Sequence, residues 1–291
     1  MTVESVGVMS PGDMGSGVGG ILKENGLRVI TALNGRSDDS KRRASEQGFE
    51  DIGSLDELVI QSDIVLSILV PSEALSFAEN IAEVMVRTDA KVAFADCNAV
   101  SPATGMKIGE EISGAGGKFI DAGIIGGSPR TGAVPRFYAS GEHANILGEL
   151  DGKGISVPIM NGPIGSASGL KMVYAALTKG TAALYASTLM TAKSLDLYEE
   201  LITELKQSQT GTLAGMDSLK TVSTKAFRWI GEMDEIAATF GYAGTTSKIH
   251  EGASETFKTI TDSSIGHERV DSVNKKRSLE DSISAMLKNA D

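Results

Sequence analysis

The chain has 291 residues, 41 % of them apolar and 22 % charged, with a formal net charge of −11. That length suits two globular domains with sizeable cores, and the acidic balance argues against nucleic acid as a partner, since phosphates need a basic face. The one cysteine, Cys97, cannot close an internal disulfide, which suits a reducing cytoplasm.

The first expected element is an apolar strand over Val3–Met9, with no basic leader in front of it. A glycine-rich turn follows, then a helix over Gly17–Asn25 and a second strand over Leu27–Leu33. Further strands are expected at Asp63–Val70, Lys91–Asp96, Lys118–Ala122 and Phe137–Ser140, with helices at Leu55–Ile60 and Glu73–Arg87 between them. Strand–helix alternation of this kind builds a parallel sheet covered by helices. The character changes near residue 163. Ser166 to about Glu200 reads as one long helix, apolar nearly all round and hence expected to be buried on most faces. Helices are expected again at Leu201–Gln207, Ser218–Ile236, Ser247–Ile260 and Leu279–Leu287. The fold class is therefore α/β: a Rossmann domain over residues 1–163, then the long connecting helix and an all-helical domain over 164–291. No run of about 20 apolar residues exists, so no membrane partner is expected. His143, His250 and His267 are scattered, and no metal site is expected.

The turn reads Ser10-Pro11-Gly12-Asp13-Met14-Gly15 between a strand and a helix, the setting of a dinucleotide fingerprint with serine in its first glycine slot. Glycines there let the backbone approach a pyrophosphate, whose charge rests on free helix N–H groups. Ser10, Gly12, Asp13 and Met14 are accordingly candidate cofactor-binding residues. The tip of the second strand, Asn34-Gly35-Arg36-Ser37, carries an arginine where an NAD site has an acid, so Asn34, Arg36 and Ser37 point to NADP(H).

Three more motifs follow in order: Leu69-Val70-Pro71 after the third strand, Asp96-Cys97-Asn98 through Pro102 after the fourth, and Gly162-Pro163-Ile164-Gly165 through Lys171 at the start of the long helix. With the turn, this series resembles the β-hydroxyacid dehydrogenase family, relatives of 6-phosphogluconate dehydrogenase. The segments KGTAAL and RWIGEMDEIA resemble its subgroup with a poorly characterised, phosphogluconate-dehydrogenase-like C-terminal domain. The resemblance implies that Lys171 is the general acid/base, that Leu69, Val70 and Pro71 lie along the nicotinamide side of the cofactor, and that Asn98 sits near the nicotinamide ribose and substrate. In the motif Asp121-Ala122-Gly123-Ile124-Ile125-Gly126-Gly127, Gly126 and Gly127 are placed at the substrate. Ile125 stands where the family has a serine, and Ala175 where it has an asparagine, so a less polar or bulkier substrate is expected.

Read on their own chemistry, Lys171, Tyr174, Ala175 and Thr178 share a helix face by i+3, i+4 and i+7 spacing, which puts Tyr174 beside the amine as a substrate contact. The expected function is hydride transfer between NADP(H) and the hydroxyl- or carbonyl-bearing carbon of a small, hydroxy-acid-like molecule. An imine reductase-like enzyme and a redox-inactive NADP(H) sensor are the alternatives. The apolar long helix also suggests a homodimer.

Overall fold

The computed structural model describes residues 2–270 and 272–288. It contains two compact units, one up to Met172 and one from Val173, the division falling inside the long helix.

In the first unit seven strands form one sheet: β1 (Ser5–Met9), β2 (Arg28–Thr31), β3 (Glu50–Asp51), β4 (Ile64–Ser67), β5 (Ala93–Asp96), β6 (Lys118–Ile125) and β7 (Arg136–Ser140). The order is β3-β2-β1-β4-β5-β6-β7. All neighbours are parallel except β6 and β7, which are antiparallel. The inner strands are apolar on both faces because helices cover both. Ile64 and Leu66 of β4 enter one layer with Val6, Leu22 and Phe137, while Val65 between them enters the other with Phe77 and Phe94. The helices are α1 (Asp13–Glu24), α2 (Asp38–Glu46), α3 (Leu55–Gln61), α4 (Pro71–Thr88), α5 (Pro102–Gly114) and α6 (Ala144–Gly148). The strand order reverses between β1 and β4, and ligands of open α/β sheets bind beyond the carboxyl ends of the strands at such a point.

Several bounds differ from expectation, three of them with a visible cause. Helix α1 starts at Asp13 rather than Gly17, so the fingerprint residues themselves form its first turn. Strand β6 runs on to Ile125, past Ala122, because Ile124 and Ile125 pair with Phe137 and Arg136 of β7. The long helix α7 (Ser166–Ser194) stops short of Glu200. Asp196 takes a left-handed backbone, φ 56°, which ends the helix before α8 (Tyr198–Ser208) begins.

The named elements of the second unit are all helices: the rest of α7, α8, α9 (Thr210–Met216), a 3-10 turn at Asp217–Thr221, α10 (Ser223–Tyr242), α11 (Lys248–Thr261) and α12 (Leu279–Met286). Met233, Ile236, Phe257, Ile260 and Ile283 are buried in it. Lys179 of α7 is buried and paired with Glu232 of α10, and its ammonium lies 5.9 Å from the Trp229 ring centre. Trp229 itself packs edge-on against Phe257. The expectation that α7 is buried on most faces fails: Val173, Leu177 and Leu184 are 52 %, 71 % and 63 % exposed, a stripe that the single chain leaves uncovered. No helix among the described residues is long and apolar enough to cross a membrane.

His250 of α11 is buried beside Phe240, and its Nδ1 has no partner among the described residues. Burial holds its pKa below the ordinary histidine value. The folded chain therefore binds fewer protons than the unfolded one below about pH 6.5, so this contribution holds above that pH and is lost as pH falls. Urea unfolding between pH 7 and pH 5 should lose midpoint more steeply in the natural chain than in His250→Gln; parallel profiles would contradict it.

Candidate nucleotide-binding and active site

The fingerprint turn sits where the strand order reverses. Ser10 N donates to Ile68 O at 3.2 Å, and Ile68 N donates back to Met9 O, so the β1 and β4 chains stay joined beyond their strand ends. Gly12 N donates to Ser10 O at 2.8 Å and closes the turn. The two glycines serve different ends. A Cβ on Gly15 would lie 2.0 Å from Ser10 O, so only glycine lets α1 pack under the turn. A Cβ on Gly12 would meet nothing within 4 Å. Gly12 caps α1 without a side chain, leaving open space over the helix's first N–H groups. Those are the features that an approaching pyrophosphate requires. Asp13 is exposed in that first turn, and Met14 packs against the core beneath it.

At the tip of β2, Asp51 Oδ1 accepts from Leu33 N at 3.1 Å and from Gly53 N at 3.0 Å, which fixes the loop. Arg36 N then donates to Leu33 O at 3.1 Å across a turn that Gly35 enters at φ 74°. Arg36 lines a cavity of about 340 Å³ together with Ala32, Asn34 and Ser54, and a second of about 130 Å³ with Leu69, Glu73 and Asn80. Two other arginines nearby are engaged elsewhere. Arg42 pairs with Asp39 and Glu46, and Arg28 with Glu50, whereas Arg36 makes no ion pair with the described residues. Ser37 Oγ caps α2, accepting from Ser40 N at 3.3 Å, so part of its hydrogen-bonding capacity is used locally.

The 69–71 strip lies between β4 and α4, with Val70 as the N-cap and Pro71 as the first helical residue. Asn98 supports it from below. It is 2 % exposed, its Oδ1 accepts from Leu69 N, and its Nδ2 donates to Ser67 Oγ at 2.8 Å and to Asp96. Asn98 thus ties the ends of β4 and β5 and shapes the strip. Cys97 beside it is buried, and burial first, then the charges of Asp96 and Asp121, push its thiol pKa well up, away from the reactive thiolate.

Lys171 is fixed from β6. Asp121, fully buried, accepts through Oδ2 from Gly165 N (2.9 Å), Ala167 N (2.9 Å), Ser168 N (3.3 Å) and Ser140 Oγ (2.7 Å). A carboxylate at a helix N-terminus also complements its dipole. Two residues on, Gly123 lets α7 lie directly on the strand, because a Cβ there would be 2.8 Å from both Ala167 O and Lys171 Cβ. Lys171 is half-buried rather than enclosed. The same strand ends in buried Ile125, and exposed Gly126 and Gly127 follow it. Tyr174, one turn beyond Lys171 on α7, is 45 % exposed.

Residues 5–147 match the family of the NAD binding domain of 6-phosphogluconate dehydrogenase, and residues 192–260 match DUF1932, a domain of unknown function. An uncharacterized 28.5 kDa protein of Methanothermus fervidus is 31 % identical over 204 residues, which is 70 % of this chain and 77 % of that one. The chain belongs to the 6-phosphogluconate dehydrogenase-like superfamily, in its DUF1932 subgroup. Among solved structures, the conserved protein MTH1747, of unknown function and structurally similar to 3-hydroxyacid dehydrogenases, is 26 % identical, with TM-score 0.66 over 87 % of this chain and 96 % of that one. The 3-hydroxyisobutyrate dehydrogenase of Mycobacterium tuberculosis shares the fold at 15 % identity, with TM-score 0.68 over 99 % of this chain and 100 % of that one. Membership in this superfamily makes the chain an NAD(P)-binding, hydroxyacid dehydrogenase-like oxidoreductase.

Sequence reasoning quoted Asp121 within a motif without giving it work. The signal was there: a charge inside the apolar strand Lys118–Ile125 has to be hydrogen-bonded. Asp121→Ala should leave buried N–H groups unsatisfied and cost about 3 kcal/mol or more in urea unfolding; a cost below about 1 kcal/mol would remove Asp121 from this role.

Proposed function

We propose that the chain is an NADP(H)-dependent oxidoreductase acting on a hydroxyl- or carbonyl-bearing carbon of a small, hydroxy-acid-like molecule. The observation that carries this reading is Lys171, held by the Asp121 cap and Gly123 on the strand that leads into exposed Gly126 and Gly127. When bound, the nicotinamide supplies or accepts the hydride.

The rest falls to the chain's own residues. The turn from Ser10 to Gly15 receives the pyrophosphate over Gly12, on the N–H groups of Asp13 and Met14. Arg36, with its charge uncommitted, takes the 2′-phosphate, supported by Asn34 and Ser37. Leu69, Val70 and Pro71 border the nicotinamide, in a form set by Asn98. The Lys171 ammonium gives a proton to the substrate oxygen during reduction and takes it back during oxidation. Gly126 and Gly127 offer backbone N–H groups to an anionic substrate group, and Tyr174 offers its hydroxyl. Buried Ile125, with Ala175 one turn beyond Lys171, supports a less polar or bulkier substrate than a plain 3-hydroxy acid. The exposed stripe on α7 supports a homodimer, and the buried free thiol of Cys97 suits the cytoplasm.

Fluorescence titration should give NADPH a dissociation constant about tenfold or more below that of NADH, a gap that Arg36→Ala closes, since a hydrogen bond to a charged group is worth about 1.5–3 kcal/mol. Equal affinities in the natural chain would overturn the preference. In a screen of aldehydes and hydroxy acids followed by cofactor absorbance, Lys171→Ala should lower kcat by about 10² to 10⁴ with NADPH affinity retained. Undiminished turnover in that variant would remove Lys171 from the chemistry.

A further inference from the structure

The turn that meets the pyrophosphate carries an acid. Asp13 is the first residue of α1, and its side chain is 65 % exposed. There it favours the helix dipole, yet it repels a dianion landing on the same N–H groups. Sequence and function conflict locally, and such conflicts gather at functional sites.

The chain brings a cation to that spot from far along the sequence. Arg130 sits on the 3-10 turn Pro129–Thr131, and its guanidinium lies 3.9 Å from Asp13 Oδ1. This turn is strapped to the start of α1. Ser128 Oγ donates to the main-chain O of Asp13 at 3.0 Å and accepts from Arg130 N at 3.4 Å. The strap lies directly on Gly17, where a Cβ would be 2.5 Å from Ser128 Oγ and 3.1 Å from Arg130 Cγ. Glycine at 17 thus makes room for the arginine's stem. Gly132 closes the turn in the left-handed region, φ 79°.

The pair does not explain itself as a stabilising contact. It is exposed and longer than a hydrogen bond, and exposed pairs add little. At that distance the guanidinium keeps donors for another acceptor. We propose that Arg130 is a cofactor-binding residue that cancels the charge of Asp13 and donates to the dinucleotide pyrophosphate. This rests on the nucleotide reading above but is independent of NADP preference, since the pyrophosphate is common to NADPH and NADH.

The test is equilibrium binding of NADPH, NADH, ADP-ribose and 2′,5′-ADP to the full chain, with thermal melting as the check on folding. Arg130→Ala should melt as the natural chain does. It should weaken NADPH, NADH and ADP-ribose each by about tenfold, the loss of one charge-assisted hydrogen bond. It should weaken 2′,5′-ADP less, since that ligand keeps only the 5′-phosphate, half of the pyrophosphate. Adding Asp13→Asn to Arg130→Ala should recover the part of the loss that comes from the uncancelled charge of Asp13, leaving the part due to the missing hydrogen bond. Arg36→Ala should show the opposite pattern, weakening NADPH and 2′,5′-ADP and sparing NADH. Binding of ADP-ribose to Arg130→Ala within twofold of the natural chain overturns the assignment, as does an equal loss for 2′,5′-ADP. A natural chain that binds NADPH and NADH alike, with both weakened by Arg130→Ala, overturns the cofactor preference and leaves Arg130 in place.

Discussion

One carboxylate oxygen, Asp121 Oδ2, receives three backbone N–H groups from the start of α7 and a hydroxyl from β7. The first turn of the helix, the central sheet and its antiparallel edge strand therefore meet at a single buried atom. Gly123 then removes the side chain that would hold α7 away, and Lys171 comes to rest against β6. The acid/base role proposed for Lys171 requires its root to be fixed in this way, because proton transfer needs reach within about 3 Å of the reacting oxygen.

The nucleotide end follows a different rule, the allocation of charge. Arg28 and Arg42 are taken by carboxylates on their own elements or neighbouring ones, so Arg36 stays available at the β2 tip. Asp51 gives its carboxylate to backbone N–H groups of Leu33 and Gly53, which leaves the loop's shape fixed and its arginine unopposed by that acid. Asn98 works similarly on the 69–71 strip, spending its amide on scaffolding.

Much of this was legible in the sequence, for physical reasons that can be named. Strand–helix alternation gave the Rossmann sheet because parallel strands buried on both faces read as continuous apolar runs. The fingerprint turn was legible because backbone access demands glycine at particular positions. What was hidden depended on partners distant in sequence. Nothing near Asp13 announces Arg130, and nothing in Asp96-Cys97-Asn98 says that the amide turns down toward Leu69 and Ser67. The end of the long helix was missed because Asp196 breaks it by adopting a left-handed backbone in a stretch of otherwise good helix formers. Burial of α7 was overstated because an apolar circumference shows that a face needs cover without showing that the same chain supplies it.

The most direct test is a crystal structure of the chain with NADP(H) bound. The account predicts the 2′-phosphate hydrogen-bonded to Arg36, the pyrophosphate over Gly12 and the first turn of α1, and the nicotinamide along Leu69–Pro71 toward Lys171. A 2′-phosphate left in solvent away from Arg36, or a nicotinamide directed away from Lys171, would contradict it.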